Sequence, residues 1–579
     1  MCAVIPVPER KALMMYACLR LCGLCFFATA AATGHGLDPS VDMTPMSNVA
    51  INMGPPYYSG AVLPAPKHVE YQDKAVVLAN GPAGQWRCYP DISIDGPART
   101  LMERLLFGKF EAYAAQFPKL DNTIPGNAKL RLTFTTAVNW RTRKDLLRFG
   151  ALGGAADLPP QGYLLEVSPA GVLCIGADNA GLVNGLASFL QLVHVRNSQL
   201  VARCVSIRDW PIFQVRYVSE YHLPGNEFFD WMMRYKINGF AASYRAMQWE
   251  GLTSSLRSDL RRTGEYIEQY DTMHFMAQFH VGGRGEGKGS VIDCGNAADV
   301  ARLLATITET IQLAHAEHIM ICYDDVVPVL QPMAAQKWKH PVQAHGALMD
   351  EVYRHVKRIS PDTAVSFCSP YYQGRRHKRW RAGDPALPEM LEYLAGLRGW
   401  DNSRVQIVWT GSATESRSIT REDVAHYRYY IGKQRELFYW DNTWHYHQPL
   451  SNFHARYFNG FVDDCAGRSS YVNINATLPI GRFFAITAND YYWNPSGHDA
   501  IRARDHATAQ VMGPQAVPAA RDFFKLRGDD YLVNFAARVE LDALKQVLTR
   551  IEHTSLDPGI AQYCWSTYRT IAKKRAGGE

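Results

Sequence analysis

The sequence lacks the residue patterns that mark several large classes of protein. Eight of its twelve cysteines lie beyond residue 32, and no Cys-x-x-Cys pair occurs among them, which argues against a zinc-finger or zinc-ribbon framework. No glycine-rich phosphate loop and no serine-centred nucleophile elbow stands out. His445, His447 and His454 do not have the His-x-x-x-His spacing that places two ligands on one helical turn. We therefore predict neither a metal nor a cofactor.

Excess charge of one sign and long apolar runs are also scarce. The net charge is only +6 over 579 residues, so we expect no nucleic-acid partner. Beyond the N-terminus no apolar run is long enough to cross a bilayer, so we expect no stable membrane insertion. An apolar content of 47% with 20% charged residues is typical of a globular protein with a sizeable core.

The N-terminal stretch has the features of an export signal. Arg10, Lys11 and Arg20 precede an apolar run over residues 21–27, and the alanines that follow offer small-residue cleavage sites. We predict a signal peptide over residues 1–32 and a linker rich in Gly, Pro and Ser over residues 33–66. The protein is then expected to be periplasmic or secreted.

A small α/β unit follows over residues 67–207. Its apolar runs predict strands and its helically spaced apolar residues predict helices. No phosphate-binding glycine pattern occurs here, so we expect an accessory domain. The predicted elements are the strands His68–Leu78 and Leu130–Thr135, a hairpin formed by Gly162–Val167 and Gly171–Gly176, and the helices Ala98–Phe117 and Ala180–Val195.

The longest part of the chain alternates strand-like and helix-like segments. This regularity predicts a (β/α)8 TIM-like barrel over residues 208–498, and hence an α/β fold class. From residue 499 to 579 the pattern becomes helical, which predicts a C-terminal helical domain. The eight predicted barrel strands are Gln214–Ser219, Asn238–Ser243, Met273–Phe279, His318–Asp324, Ala364–Cys368, Val405–Trp409, Leu437–Asp441 and Arg468–Asn473.

Two adjacent carboxylates, Asp324 and Asp325, follow the fourth of these strands. A carboxylate at the end of a buried strand is costly unless it is paired or used. In a parallel barrel, catalytic residues lie at that end of the strands. Two neighbouring acids can also take different protonation states, as acid and base chemistry requires. The alternative is a helix cap or a solvated turn, which is the commoner role of an isolated Asp-Asp pair.

Polar and aromatic side chains follow the other predicted strands as well. The carboxyl ends of barrel strands meet at one face, so we expect these side chains to line a common pocket. The candidate substrate-binding residues are Glu220, Arg245, Tyr372, Trp440, Asn442 and Asn473.

These stretches resemble glycoside hydrolase family 84, the O-GlcNAcase and bacterial β-N-acetylglucosaminidase family. The resemblance covers residues 67–494, and its first part is similar to the accessory domain of families 20 and 84. The segments that carry it are Asp324-Asp325, Phe367–Tyr372, Val408–Gly411, Trp440–Asn442, Tyr471–Asn475 and Ala488–Asn494.

The resemblance implies a glycosidase that uses the substrate's own 2-acetamido oxygen as nucleophile. Asp324 would polarise the acetamido N–H, and Asp325 would be the general acid and then the base. Tyr372 and Asn442 would steady the acetamido group. Trp440 would form a wall of the pocket, and Asn473 would bind a sugar hydroxyl.

Some positions depart from the family pattern. Arg245 stands where a Lys is expected, the Glu220 segment differs, and a His-rich run at residues 445–447 replaces an Asp that binds outer hydroxyls. Arg245 and the basic run Arg375–Arg379 would instead suit a carboxylate-bearing sugar, because Arg pairs with carboxylates in a bidentate way. A solvated loop is the alternative for that run.

The sequence therefore predicts an exported, exo-acting glycoside hydrolase of the β-N-acetylhexosaminidase type, acting on a glycan or glycoprotein. Two other functions stay open. One is a sialidase-type exo-glycosidase for an acidic sugar on the same barrel. The other is a glycan-binding protein that has kept the fold without turnover, because a fold alone does not determine function.

Overall fold

The computed structural model describes most of the chain from residue 61 onward. The ranges are 61–81, 86–90, 96–109, 130–140, 157–243, 245–283, 290–414, 416, 419–442, 469–472, 479–527, 539–554 and single positions between 565 and 575. The proposed signal peptide and most of the linker lie outside them. In this described part, no helix has both the length and the apolar character to cross a membrane.

The first sheet has seven strands, in the order β1-β7-β4-β5-β3-β2 with β6 beside β7. The predicted hairpin is present, because β4 and β5 pair antiparallel from Tyr163↔Gly176 to Ser168↔Gly171. Strand β7 was not predicted, although it pairs with both β1 and β4. The strands are β1 His68–Ala79, β2 Cys88–Pro90, β3 Leu130–Thr136, β4 Tyr163–Ser168, β5 Gly171–Gly176, β6 Val193–Arg196 and β7 Gln199–Asp209.

Where the structure describes this part of the chain, it has three helices, over Gly96–Lys109, Ala137–Trp140 and Asn179–Leu192. The last of them is apolar on most sides and buries almost all its residues against the sheet. Asp178 caps it, since its Oδ1 accepts the backbone N–H of Gly181 at 2.7 Å.

The second sheet is a closed barrel of eight parallel strands, in the order β10-β11-β12-β13-β14-β15-β8-β9. We call it the ring. Each strand lies within two residues of its predicted position, and the α/β class is confirmed. The strands are β8 Val215–Glu220, β9 Gly239–Ala242, β10 His274–His280, β11 His318–Cys322, β12 Ala364–Cys368, β13 Gln406–Trp409, β14 Leu437–Asp441 and β15 Ser469–Val472.

Alternate residues of each strand face the inside of the ring, as the two-residue period of a strand requires. The inner set forms a separate buried cluster that includes Met276, Met320, Cys322, Cys368 and Trp440. The outer set, with residues such as Ile321 and Phe367, packs in the main core with the helices. The alternation between inner and outer residues determines which side chains at the carboxyl end of each strand can point into the opening of the ring.

Helices connect the strands of the ring and cover its outside. Several begin with a side-chain cap, as at Thr253, Asn296 and Thr420. The helices within this region are Asn226–Arg234, Ser254–Tyr270, Ala297–Ala314, Pro332–Lys337, Pro341–Ile359, Leu387–Gly399, Arg421–Ile431 and Pro479–Trp493, with a 3-10 turn at Lys378–Trp380.

The described residues after 499 form the helices Ala500–Met512, Val517–Arg527 and Leu541–Thr554, with a 3-10 turn at Pro514–Ala516. The sequence predicts three helices here, over Ala516–Leu526, Tyr531–Thr549 and Pro558–Lys574. The first matches Val517–Arg527 and the second overlaps Leu541–Thr554, while much of the third lies outside the described residues. Whether this region is a separate domain stays a prediction.

A buried polar cluster lies between the first sheet and the ring, near the end of the ring where β8 and β9 begin. We call it the closed-end cluster: Asp209, Lys236, Tyr163, Trp493 and Lys67. Tyr163 Oη, Trp493 Nε1 and Lys236 Nζ lie 2.9, 2.8 and 3.3 Å from Asp209 Oδ2, and the Lys67 backbone N–H donates to Oδ1 at 3.1 Å. One carboxylate thus joins the first sheet, the ring and the helix Pro479–Trp493.

Candidate active site

The acid pair lies at the open end of the ring, just past the end of β11. Asp324 continues the inward phase of Met320 and Cys322, and it is only 7% exposed. Asp325 is exposed. Its φ of 59° is in the left-handed region, which is uncommon for a residue other than glycine. On a continuing strand, Asp325 would point to the opposite face from Asp324. The left-handed turn breaks that alternation.

Tyr372 connects the next strand to the acid pair. Its side chain belongs to the buried cluster inside the ring, and its hydroxyl donates to Asp325 Oδ1 at 2.9 Å. Burial, with the neighbouring carboxylates of Asp325 and Asp324, raises the pKa of Tyr372 well above its usual range. The phenol therefore stays protonated and serves as a hydrogen-bond donor at neutral pH.

Two further predicted site residues come together at the end of β14. Trp440 is 6% exposed and lies in the same buried cluster as Tyr372. Its Nε1 donates to Asn442 Oδ1 at 2.9 Å, and Asn442 Nδ2 donates to the Thr414 carbonyl at 3.1 Å. The indole and the amide are thus held in one orientation at the open end.

The structure also places His280 beside the acid pair. This buried residue ends β10, and its Nε2 lies 2.9 Å from the carbonyl oxygen of Asp324 and 3.5 Å from Asp324 Oδ1. The sequence analysis gave no role to this residue, which directly follows the predicted strand Met273–Phe279. The alternation along β10 could have indicated its position, because His280 lies two residues after Gln278 and four after Met276 and so faces the inside of the ring.

The remaining predicted site residues are placed less directly. Glu220 is buried. Along β8 it lies on the same side as Arg216 and Val218, whereas Tyr217 faces the inside of the ring. Arg245 is exposed and lies over the Tyr221 ring, 4.1 Å from its centroid. Asn473 lies outside the described residues, as do His445, His447 and His454. Binding roles for all of these stay predictions.

The basic run after β12 is partly engaged in ion pairs. Arg375 contacts Asp423 at 2.6 Å and Glu422 at 3.1 Å, and Arg376 contacts Asp423 at 3.4 Å. Asp423 also completes the capping box of the helix that begins at Arg421. The charges of these two arginines are therefore directed at the protein's own carboxylates.

Within the described ranges, no group of three or more His, Cys, Asp or Glu side chains is arranged to hold a metal ion. A surface cavity of about 380 Å³ lies at the opposite face, against the loop that precedes β13. Its lining includes Asp350, Arg354, Asp401 and Arg404. Chemistry in a parallel barrel is done at the carboxyl ends of the strands, so we place the site at the acid pair and not at this cavity.

Comparison with protein families gives two matches, one over the first sheet and one that begins after β9 and continues past the ring. Residues 243–525 match the NAGidase model, described as β-N-acetylglucosaminidase. Residues 60–210 match domain 2 of glycosyl hydrolase family 20. A comparison with curated protein sequences finds no match.

Solved structures with the same fold belong to two glycosidase families. CpGH84B is 14% identical with a TM-score of 0.61, and the match covers 90% of this chain and 93% of that one. CpGH84D is 12% identical with a TM-score of 0.55, covering 87% and 85%. A chitobiase from Flavobacterium johnsoniae is 12% identical with a TM-score of 0.55, covering 82% and 76%. At these identities the likeness establishes the fold alone.

The family models define the class: this protein is a glycoside hydrolase, as the sequence predicted. Within that class it is a β-N-acetylglucosaminidase-like enzyme similar to family 84, so the predicted resemblance is confirmed.

Proposed function

We propose that this protein is an exported, exo-acting β-N-acetylhexosaminidase that cleaves with retention, using the substrate's acetamido group as nucleophile. The observation that carries the proposal is the arrangement of the acid pair. One carboxylate, Asp324, is buried inside the ring, and the next, Asp325, is turned to the mouth and bonded to Tyr372. These are two environments for two different roles.

Asp324 suits the role of polarising the acetamido group. A buried carboxylate makes a stronger hydrogen bond to an amide N–H than an exposed one, because water does not compete for it. Accepting that N–H increases the electron density on the acetamido oxygen. The oxygen then forms a bond to the anomeric carbon as the bond from that carbon to the leaving oxygen breaks.

Asp325 suits the role of proton donor and acceptor. It is exposed, so it can reach a leaving oxygen, exchange protons with water and later activate the water that opens the oxazoline. In the first step its proton passes to the leaving oxygen. In the second step it takes a proton from water, which returns the enzyme to its starting state. Before substrate binds, the Tyr372 hydroxyl holds this carboxylate.

The other predicted residues complete the pocket in this proposal. Trp440 would form its wall against the sugar ring, while Tyr372 and Asn442 would orient the acetamido group. Asn473, Arg245 and Glu220 would bind hydroxyls. The hydrogen bond from Trp440 Nε1 to Asn442 Oδ1 supports this assignment, because it orients both side chains before a sugar binds.

The proposal includes the domain organisation. A (β/α)8 catalytic barrel would span residues 208–498, between an accessory domain at 67–207 and a helical domain at 499–579. The closed ring of parallel strands supports the barrel assignment. Export to the periplasm or beyond rests on the N-terminal sequence, and the substrate would then be an extracytoplasmic glycan or glycoprotein.

The basic run does not favour the acidic-sugar alternative, because Arg375 and Arg376 are directed at Asp423 and Glu422. Arg245 is exposed and can still meet a substrate carboxylate, so cleavage of a sialoside decides this alternative. The non-catalytic alternative would leave the positions of Tyr372 and Asp325 without a function.

The experiment is a kinetic comparison of 4-nitrophenyl N-acetyl-β-glucosaminide with analogues whose acetyl group carries one, two or three fluorines. Fluorine withdraws electrons from the acetamido oxygen, so substrate assistance predicts a stepwise fall in kcat/KM across the series. A sialoside is the second arm.

Asp324→Asn should lose most activity, and the control Asp350→Asn, at the opposite face, should keep it. A rate indifferent to fluorine would overturn the mechanism. Cleavage of the sialoside alone would support the acidic-sugar reading, and binding of glycans without cleavage the non-catalytic one.

A further inference from the structure

His280 makes a contact that its place in the strand does not require. It ends β10, is 1% exposed, and pairs in the ring with Cys322 of β11. Its side chain reaches beyond that partner, to the carbonyl oxygen of Asp324 at 2.9 Å.

The direction of this hydrogen bond fixes the state of the imidazole. A carbonyl oxygen can only accept, so His280 Nε2 must carry the proton and donate it. His280 Nε2 also lies 3.5 Å from Asp324 Oδ1. Its proton is given to the backbone carbonyl of Asp324.

The position of the accepted carbonyl is the important point. Backbone bonding between β10 and β11 ends with Val281 N donating to the Cys322 carbonyl at 3.0 Å, and Tyr323 N donates to Cys368 on the other side at 2.8 Å. His280 therefore adds one further bond just where the strand leaves the ring.

The carbonyl that His280 holds belongs to the peptide unit between Asp324 and Asp325. That unit leads directly into the left-handed turn at Asp325, where φ is 59°. Asp adopts a left-handed conformation more readily than most residues, but the right-handed one is still favoured, so contacts on either side of the turn help to hold it. Two hydrogen bonds flank this turn. His280 donates to the Asp324 carbonyl before it, and Tyr372 donates to the Asp325 side chain after it.

We propose that His280 is a positioning residue for the acid pair. Its Nε2–H holds the peptide between Asp324 and Asp325, which keeps one carboxylate inside the ring and turns the other to the mouth beside Tyr372. The inference rests on the proposed roles of the two acids and adds the element that sets their relative orientation.

The test is a matched pair of variants, His280→Gln and His280→Asn. Both carry the same amide, but the Gln nitrogen lies as many bonds from the backbone as His Nε2, whereas the Asn nitrogen is one carbon short. We expect His280→Asn to lower kcat by about 100-fold with KM changed less than threefold, because an ångström of misplacement costs about that much. We expect His280→Gln to recover at least tenfold of the loss.

Three further measurements separate this role from a structural one. The loss in His280→Asn should be larger for alkyl glycosides than for 4-nitrophenyl glycosides, because a displaced Asp325 matters most where the leaving oxygen needs a proton. His280→Leu, which has no donor, should behave as His280→Asn. Gln278→Leu removes a buried polar group one layer lower on the same strand, and it should keep kcat within threefold.

Each outcome decides the question. Equal kcat in the Gln and Asn variants, or losses that follow thermal stability alone, would overturn the positioning role. If the parent enzyme cleaves N-acetylglucosaminides, Asp325→Asn abolishes cleavage and His280→Asn does not impair it, then only this inference fails. If the parent cleaves none of them, the proposed function fails and this inference with it.

Discussion

The two ends of the ring use the same residue type in opposite ways. At the closed end, Asp209 is fully buried and accepts from Tyr163, Trp493, Lys236 and the Lys67 backbone. At the open end, Asp325 is exposed, in a left-handed turn, and accepts from the Tyr372 hydroxyl.

A carboxylate whose hydrogen bonds are satisfied inside the protein holds structure together. One that keeps access to solvent and substrate can transfer a proton. The contrast predicts that substitutions at the open end change rate and those at the closed end change stability.

Asp325→Asn should give the largest effect on rate. Loss of a general acid and base typically costs about 10²–10⁴-fold, and we expect this loss in kcat/KM for alkyl N-acetylglucosaminides. Asn tolerates the left-handed conformation well, so the unfolding free energy should stay within about 0.5 kcal/mol of the parent. Steady-state kinetics and urea unfolding on the same preparation check both halves, and a large stability loss would contradict the division of roles.

Asp209→Asn should give the opposite result. It removes the carboxylate that faces buried Lys236, and breaking a buried ion pair on one side costs about 3–5 kcal/mol. Urea unfolding measures this loss, while kcat at 25 °C should stay within twofold. Lys236→Met is the matched control. Its effect should be smaller, because Asp209 keeps its bonds from Tyr163 and Trp493. Equally small losses of unfolding free energy in the two variants would contradict a stabilising role for the closed-end cluster.

Tyr372→Phe sharpens the comparison at the open end. A hydrogen bond to a charged group contributes about 1.5–3 kcal/mol, so deleting the hydroxyl should lower kcat roughly 10- to 100-fold. The phenyl group of the variant fills the same space as the phenol of Tyr372, so the free energy of unfolding in urea should be little altered. A change in KM alone would indicate that Tyr372 binds substrate without holding Asp325.

The last prediction concerns acid stability, through a histidine on the inside of the ring. Burial lowers the pKa of His318 to about 3, and its Nε2 lies 2.9 Å from the Ser366 hydroxyl. Between pH 6.5 and about 3 the unfolded chain binds a proton here that the folded protein does not. Stability due to this residue therefore falls by about 1.4 kcal/mol for each pH unit lost in that window.

His318→Gln keeps a donor for Ser366 but has no such titration. The difference in unfolding free energy between parent and variant, measured by urea at pH 6.5, 5.5 and 4.5, should shift in favour of the variant as the pH falls. A constant difference would mean that His318 does not titrate on unfolding.

The strands of the ring could be predicted because each is a short apolar run bounded by turn residues. This pattern is local and can be recognised without knowing which strand pairs with which. The sequence analysis missed β7, whose polar residues at Gln199, Arg203 and Arg208 interrupt the apolar pattern and whose pairing with β1 and β4 is non-local. It found the acid pair because two carboxylates after a buried strand are conspicuous. It gave His280 no role, because a single histidine at a strand end carries no information about which carbonyl it will meet.

The sequence alone determined the α/β class, the position of the acid pair after β11 and the resemblance to a glycosidase family, because apolar periodicity and contiguous motifs are local properties. The tertiary structure decided which acid is buried and which faces the mouth, and that His280 and Tyr372 hold the turn between them. It also decided that Asp209 belongs to a structural cluster. These assignments depend on hydrogen bonds between residues tens to hundreds of positions apart, which form only when the ring closes.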